Sequence, residues 1–286
     1  MYYLLLVLAT VLYTVSFYCN QQVERRCRSG MDAAILFSTV AWSGFLAVLL
    51  ILLKGRLAIT PFSALCASLH AFFMVTYSFL SLKALSVADL GKYSMYAMLG
   101  GMLVPFATGI LFFEEGLTAG KIICCVILTL ALYLDSKSGK ITEKSLIYLV
   151  AVFFVNGSFG VLSTVHQSGG FATVNSNQYI ALQAILVVAF GVCFLGVRRL
   201  RRGRLHIVET KKAFFPMVLY GLLNGSAELL LLLALRSGVQ ASVQYPIITG
   251  GVVIGSALLS LLTGETRGWK RLLPAGITLV GLLFLI

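Results

Sequence analysis

Tyr220, Asn224 and Glu228 recur at steps of four, so on a helix they lie along one slowly winding stripe of a single face. The run that holds them is apolar enough to sit in hydrocarbon, where an ionisable side chain near the centre costs up to about 2.5–3.5 kcal/mol on insertion scales. No Lys or Arg stands within one helical turn of Glu228, so a local ion pair cannot offset that cost. A carboxyl facing a watery cavity would escape it, could exchange a proton, and could hold an organic cation against the rings of nearby tyrosines. The alternative is a protonated Glu228 hydrogen-bonded to an adjacent helix in a structural role.

Other apolar runs carry polar residues that could join such a site. The stripe matching Tyr220, Asn224 and Glu228 in the third run is His70, Met74 and Ser78, with Tyr77 beside it. Lys92, Tyr93 and Tyr96 open the fourth run, and Gln240, Gln244, Tyr245 and Thr249 open the ninth. The first run offers Tyr13, Ser16, Phe17 and Asn20, and the sixth Asn156, Phe159 and Ser163. From these the expected substrate-binding set is Glu228, Asn224, Tyr220, Tyr77, His70, Tyr96, Tyr245, Gln244, Asn156, Tyr13 and Phe17. Each has a bland reading too, because Ser, Thr and Asn bond across helices and Tyr favours the interfacial belt. Lys92 can pair locally with Asp89, three residues earlier, and Lys83 reads as an interfacial anchor. His166 and Gln167, just past the sixth run, read either as a gate or as a wet loop.

Nothing resembles a nucleotide-binding loop, a zinc-ligand set or a nucleophile elbow. The chain is therefore expected to be no enzyme, with no catalytic residue, no cofactor and no metal. Six cysteines, Cys19, Cys27, Cys66, Cys124, Cys125 and Cys193, show no metal or redox spacing. All but Cys27 fall inside apolar runs and read as small buried residues.

The elements that must position these groups follow from composition. Of 286 residues, 59% are apolar and 11% charged, with a mean hydropathy of +0.96, whereas a soluble domain is about 25% charged. The expected fold is an all-α integral membrane protein of ten transmembrane helices. A net charge of +12 could suggest nucleic acid, but the 22 Lys and Arg gather in short links between apolar runs. The expected partners are thus a small-molecule solute and membrane lipids, with no nucleic acid and a homodimer allowed. The runs are Tyr2 to Asn20, Ala33 to Leu53, Phe62 to Ala84, Ala88 to Phe113 and Thr118 to Leu134, then Ser145 to Ser163, Gln178 to Val197, Ala213 to Leu235, Gly238 to Thr263 and Leu272 to Ile286. Each approaches the ~20 residues that span a bilayer, the fifth and tenth being short. The start lacks a basic n-region and a small-residue cleavage site, so the first run is expected to remain as a helix.

The chain also overlays on itself at a shift of about 150 positions, which lays Gly100-Gly101 on Gly250-Gly251, Ala107 on Ala257, Glu115 on Glu265 and Lys121 on Arg271. Residues 1–135 then form a first five-helix repeat, 136–144 a linker and 145–286 a second repeat. Five is odd, so the second copy enters from the opposite side, giving two inverted five-helix repeats with a site near the midplane where they meet. Gly221-x-x-x-Gly225 and Gly251-x-x-x-Gly255 read as close helix contacts, and the basic link from Arg198 to Lys212 as a topology anchor at an anionic leaflet.

Five plus five helices, Pro105 about ten residues before Glu114 and Glu115, and Gly264-Glu265 after the ninth run together resemble the drug/metabolite transporter superfamily, in its EamA-like ten-helix branch. In the second half Gly255 stands where Pro105 would, and Pro246 lies opposite Tyr96. The resemblance implies a central cavity lined by helices 1, 3, 4, 6, 8 and 9, with helices 5 and 10 at the periphery. The expected function is a secondary active transporter, permease or exporter, of a small polar or cationic organic solute such as an amino acid, amine or related metabolite, working by alternating access and compatible with proton coupling. The alternatives are a lipid-handling protein such as a scramblase, or an enzyme acting on lipid-linked substrates. The expected location is the cell membrane, multi-pass. Links after odd-numbered runs hold 18 Lys and Arg against 4 after even-numbered ones, which places the odd links in the cytoplasm and both termini outside it. Several relatives in the family are described with cytoplasmic termini, the opposite expectation.

Overall fold

The computed structural model describes residues 2–26, 31–85, 87–88, 90–135, 143–168, 170–202, 210–262 and 272–285. Among the described residues the chain is all helix and turn, with ten helices and no strand: α1 (Tyr2–Arg26), α2 (Met31–Leu52), α3 (Pro61–Leu85), α4 (Leu90–Phe112), α5 (Ala119–Asp135), α6 (Glu143–Ser168), α7 (Ser176–Arg202), α8 (Thr210–Arg236), α9 (Ala241–Leu262) and α10 (Leu272–Leu283). Seven of them, α2, α3, α4, α6, α7, α8 and α9, are long and apolar enough to cross a bilayer. The apolar stretches Tyr3–Cys19, Ala119–Leu134 and Leu273–Leu283 in α1, α5 and α10 are shorter. Several features of the sequence lie outside the described residues: Cys27, Asp89, the linker over 136–142, Arg204, the Gly264-Glu265-Thr266 turn and Arg271. So do the side chains of Asn20, Lys92, Lys211 and Lys212.

Helices suit this sequence because they satisfy every interior amide within one segment, which apolar surroundings demand. Ser and Thr hydroxyls follow the same rule by turning back on the preceding turn: Thr10 donates to the Leu6 carbonyl at 2.8 Å and Thr14 to the Thr10 carbonyl at 2.8 Å. Large apolar side chains such as Ile51, Phe112, Val126 and Phe215 point outward, each more than 60% exposed. Lys54 and Glu114 take left-handed φ angles of 50° and 54° where α2 and α4 end.

The extensive helix pairings close a circuit: α1 packs on α8, α8 on α2, α2 on α7, α7 on α3, α3 on α6, α6 on α4, α4 on α9 and α9 back on α1. α5 and α10 pack on each other outside this circuit, against the edge made by α4 and α9. The closest seams are cut by glycine. At Gly221 a β-carbon would run into the Ala41 carbonyl of α2, and at Gly100 into the Phe153 carbonyl of α6. The second glycine of each pair acts alike in both halves, since Gly101 lies against Asn156 of α6 and Gly251 against Thr10 of α1, whereas Gly100 meets α6 and Gly250 meets α10 and α5. These glycines, including Gly225 against the Phe45 ring and Gly255 against Thr14, are filled by close packing.

Glu115, in the turn after α4, caps α9. Its Oε1 accepts the Ala241 amide at 2.7 Å and its Oε2 the Ser242 amide at 2.8 Å, while the Lys121 ammonium donates to the Gly116 carbonyl and to Gln240 Oε1, both at 2.7 Å. Gln240 therefore precedes α9 and is tied to this turn. At the opposite end of the bundle, Arg198 of α7 forms an ion pair with Asp32 in the first turn of α2. That member of the basic link is engaged within the fold.

Candidate functional site

Glu228 sits about two-thirds along α8, which passes between α1 and α2 in the circuit. Its side chain is buried, with 9% of its surface exposed, and it forms no hydrogen bond or ion pair among the described residues. Its oxygens are not among the fully enclosed polar atoms left without a partner. The little surface it keeps therefore includes the carboxyl end. Tyr13 of α1, Tyr220 of α8, Tyr245 of α9 and Tyr179 of α7 all lie within Coulombic reach of that carboxyl. Four helices thus converge tyrosines on one carboxyl group.

The expected residues divide by what their polar atoms already do. Tyr220 packs on Phe37 of α2, with ring centroids 4.8 Å apart, and lies within Coulombic reach of Tyr77. The Tyr77 hydroxyl is 2.9 Å from that of Tyr93, which donates to Ser81 at 2.9 Å, and the Tyr77 ring meets Phe159 edge-on at 5.9 Å. Asn224 is half-buried on the stripe between Tyr220 and Glu228. The Tyr245 hydroxyl donates to the Gly160 carbonyl of α6 at 2.9 Å, which fixes its ring beside Pro105. Asn156 donates to the Ala97 carbonyl of α4 at 2.7 Å and is spent on joining two helices. Gln244 is fully buried and neither end of its amide has a partner.

Two expected residues lie elsewhere. Phe17 is 48% exposed on the outer side of α1. Tyr96 lines a shallow apolar groove between α4, α5 and α6, together with Leu99, Val126, Thr129, Tyr133 and Phe153. Neither belongs to the group around Glu228. Cys193 is exposed, whereas Cys19, Cys66, Cys124 and Cys125 are buried as expected. The ring of Phe79 carries the Lys83 ammonium 6.0 Å from its centroid.

His70 is fully buried in α3, and its Nδ1 lies 3.1 Å from the Gln183 amide nitrogen of α7. Phe159 and Trp42 flank the imidazole at 4.9 Å and 6.1 Å between centroids. Tyr179 and Gln183 of α7 are the contributors that the sequence reading missed. Their signal was present, because the two stand one helical step of four apart, as Tyr220 and Asn224 do.

Toward the end where α6 and α8 finish, polar contacts seal the bundle. His166 Nε2 is 2.8 Å from the Ser63 hydroxyl, which accepts the Val174 amide at 3.1 Å and the Thr60 hydroxyl at 2.8 Å. Gln167 Nε2 lies 3.1 Å from His166 Nδ1, while its Oε1 accepts the Ser176 hydroxyl at 3.2 Å. The imidazole stacks on Tyr179 at 3.5 Å and 8°, and Arg236 donates to the Val174 carbonyl at 3.4 Å. His166 is thus a buried residue in the last turns of α6, which extends five residues beyond its expected end, and the wet-loop reading falls.

Among the described residues no group of three or more His, Cys, Asp or Glu side chains could hold a metal ion. What the arrangement can do is bind, hydrogen-bond and exchange protons. No protein-family model and no curated protein sequence matches the chain. Solved structures do match, 28 chains in all. One of them, described only as the crystal structure of a protein, is similar with a TM-score of 0.71 at 12% identity, over 98% of this chain and 96% of that chain. At that identity the likeness is one of fold, and it extends to the whole ten-helix arrangement.

Proposed function

We propose that the protein is a secondary transporter of a small organic cation, an amine or amino-acid-like solute, that works by alternating access and resembles the EamA-like branch of the drug/metabolite transporter superfamily. In this reading all ten helices cross the membrane as two inverted five-helix repeats. The packing supports the symmetry: shifting every helix by five turns α1 on α8 into α6 on α3, α2 on α8 into α7 on α3, and α4 on α6 into α9 on α1, and all of these pairs exist. The matched roles of Gly101 and Gly251 support it further.

The observation that carries the reading is Glu228, a buried carboxyl without a partner among the described residues, with tyrosines of four helices within Coulombic reach. An acceptor-only carboxylate suits an ammonium group, which the carboxylate would pair and tyrosine rings could help to hold. The same carboxyl can take a proton when the cation leaves, so solute and proton would occupy one site in turn. The contacts also suggest a resting state. α6 and α8 touch, and His166 and Arg236 bond to Ser63 and Val174 at the end where both helices finish, whereas their counterparts α1 and α3 form no comparable contact among the described residues. The pathway would then be shut at the α6 end and open toward the other.

The test is counterflow in liposomes holding the full-length protein, with pooled amines, amino acids and sugars as solutes. Amines and amine-bearing solutes should exchange, and Glu228→Gln should insert and fold but lose that exchange. Unchanged exchange and unchanged pH dependence in Glu228→Gln would overturn the reading.

A further inference from the structure

The polar circuit does not end at the tyrosines around Glu228. Tyr220 reaches Tyr77, the Tyr77 ring meets Phe159, Phe159 meets His70, His70 bonds Gln183, and Gln183 lies beside Tyr179, which returns to Glu228. Side chains from α3, α6, α7 and α8 thus follow one another in a chain of neighbours that links the carboxyl to the His70–Gln183 pair. His70 and Gln183 are both fully enclosed, yet among the described residues His70 Nε2 and Gln183 Oε1 have no hydrogen-bond partner. The Tyr179 hydroxyl, though beside the Gln183 amide, completes no hydrogen bond of acceptable geometry either.

Enclosed polar atoms without partners cost free energy, and a native fold keeps them where something else completes them. Three on neighbouring side chains are a built arrangement. With the Gln183 amide nitrogen donating to Nδ1, the neutral ring carries its proton on Nε2, so the pair presents one N–H donor and one carbonyl acceptor. Trp42 and Phe159 hold the imidazole between them and leave it little freedom to turn elsewhere.

We propose that His70 and Gln183 form a hydrogen-bonding station for an uncharged hydroxyl or amide group of the solute whose ammonium sits at Glu228. The substrate class is thereby narrowed from amines in general to small cations bearing a neutral polar group. This rests on the transporter reading above, and the experiment separates failure of one from failure of the other. The chain has 2 tryptophans, Trp42 and Trp269, so Trp269→Phe leaves Trp42, packed against His70, as a fluorescent reporter of the station. The full-length Trp269→Phe protein in lipid nanodiscs is titrated with n-propylammonium, ethanolammonium and glycinamide, which share an ammonium and differ in the neutral end. Ethanolammonium and glycinamide should alter Trp42 emission and bind about tenfold more tightly than n-propylammonium, the worth of a satisfied hydrogen bond. Gln183→Leu should abolish that preference, so that the three cations bind alike. If that variant does not fold, Gln183→Asn, which retains the amide but withdraws it, should abolish the preference instead. Equal binding of all three cations with Trp42 silent would overturn the station and leave the transporter reading standing. Failure of all three to bind the unsubstituted protein would overturn both.

Discussion

Glu115 accepts the backbone amide of Ala241 at 2.7 Å across the seam between the two halves of the chain. With Ser242 it satisfies two of the amides that a helix leaves unpaired at its start, and its charge complements the positive end of the α9 dipole. Gly109 makes room, because a β-carbon there would press on the Glu115 carboxylate. Replacing Glu115 by Ala should lower stability by about 1–2 kcal/mol, read as a fall in melting midpoint of the purified protein in detergent. A Gln at this position should recover part of the loss. Midpoints equal to the native protein in both variants would show that the cap contributes nothing.

Gly221 and Gly196 make a paired test of packing. A methyl group at Gly221 meets the Ala41 carbonyl, whereas at Gly196 it meets nothing within 4 Å. Gly221→Ala should therefore destabilise by about 1–3 kcal/mol through overpacking. Gly196→Ala should be neutral or stabilising by up to about 1 kcal/mol, since Ala favours helix. The order of the two melting midpoints decides the matter.

Much of the fold could be read from the chain because each helix is an apolar run bounded by turn residues, and the structure keeps all ten runs within about six residues of their expected limits. The site was harder. A helix that is apolar all round carries no stripe to say which side faces its neighbours, so Phe17 and Tyr96 were placed inward when they lie outward and in a side groove. Asn156 has the type expected of a ligand group, but its partner, the Ala97 carbonyl, lies 59 residues away and is invisible to spacing. Tyr179 and Gln183 stand on α7, a helix that the family resemblance does not place around the centre.

His166 and Ser63 should move apart during transport if the sealed end is a gate. Cysteines at both positions, in a protein with its own cysteines removed, should be joined by a short bifunctional thiol reagent, and joining them should stop counterflow. Reduction of the linkage should restore it. Full exchange with the pair linked would show that this end does not open.

Orientation is open to direct labelling. Ser237 is exposed at the end where α8 finishes, and the Arg198 to Lys212 link lies at the other end of the same helix. An impermeant thiol reagent applied to intact cells should label Ser237→Cys and spare a cysteine placed in the link. The reverse pattern would reverse the charge argument and put the termini in the cytoplasm.

Every seam of the eight-helix circuit joins a helix of the first half to a helix of the second. During synthesis α1 to α4 are made before α6 to α9, so their glycine-cut faces wait without the surfaces they fit. Contacts so distant along the chain are slow to form and leave packing faces open to wrong partners meanwhile. Growth of this protein at the ribosome is therefore a long interval of incompleteness that ends almost at once, when α8 and α9 arrive and the circuit can close.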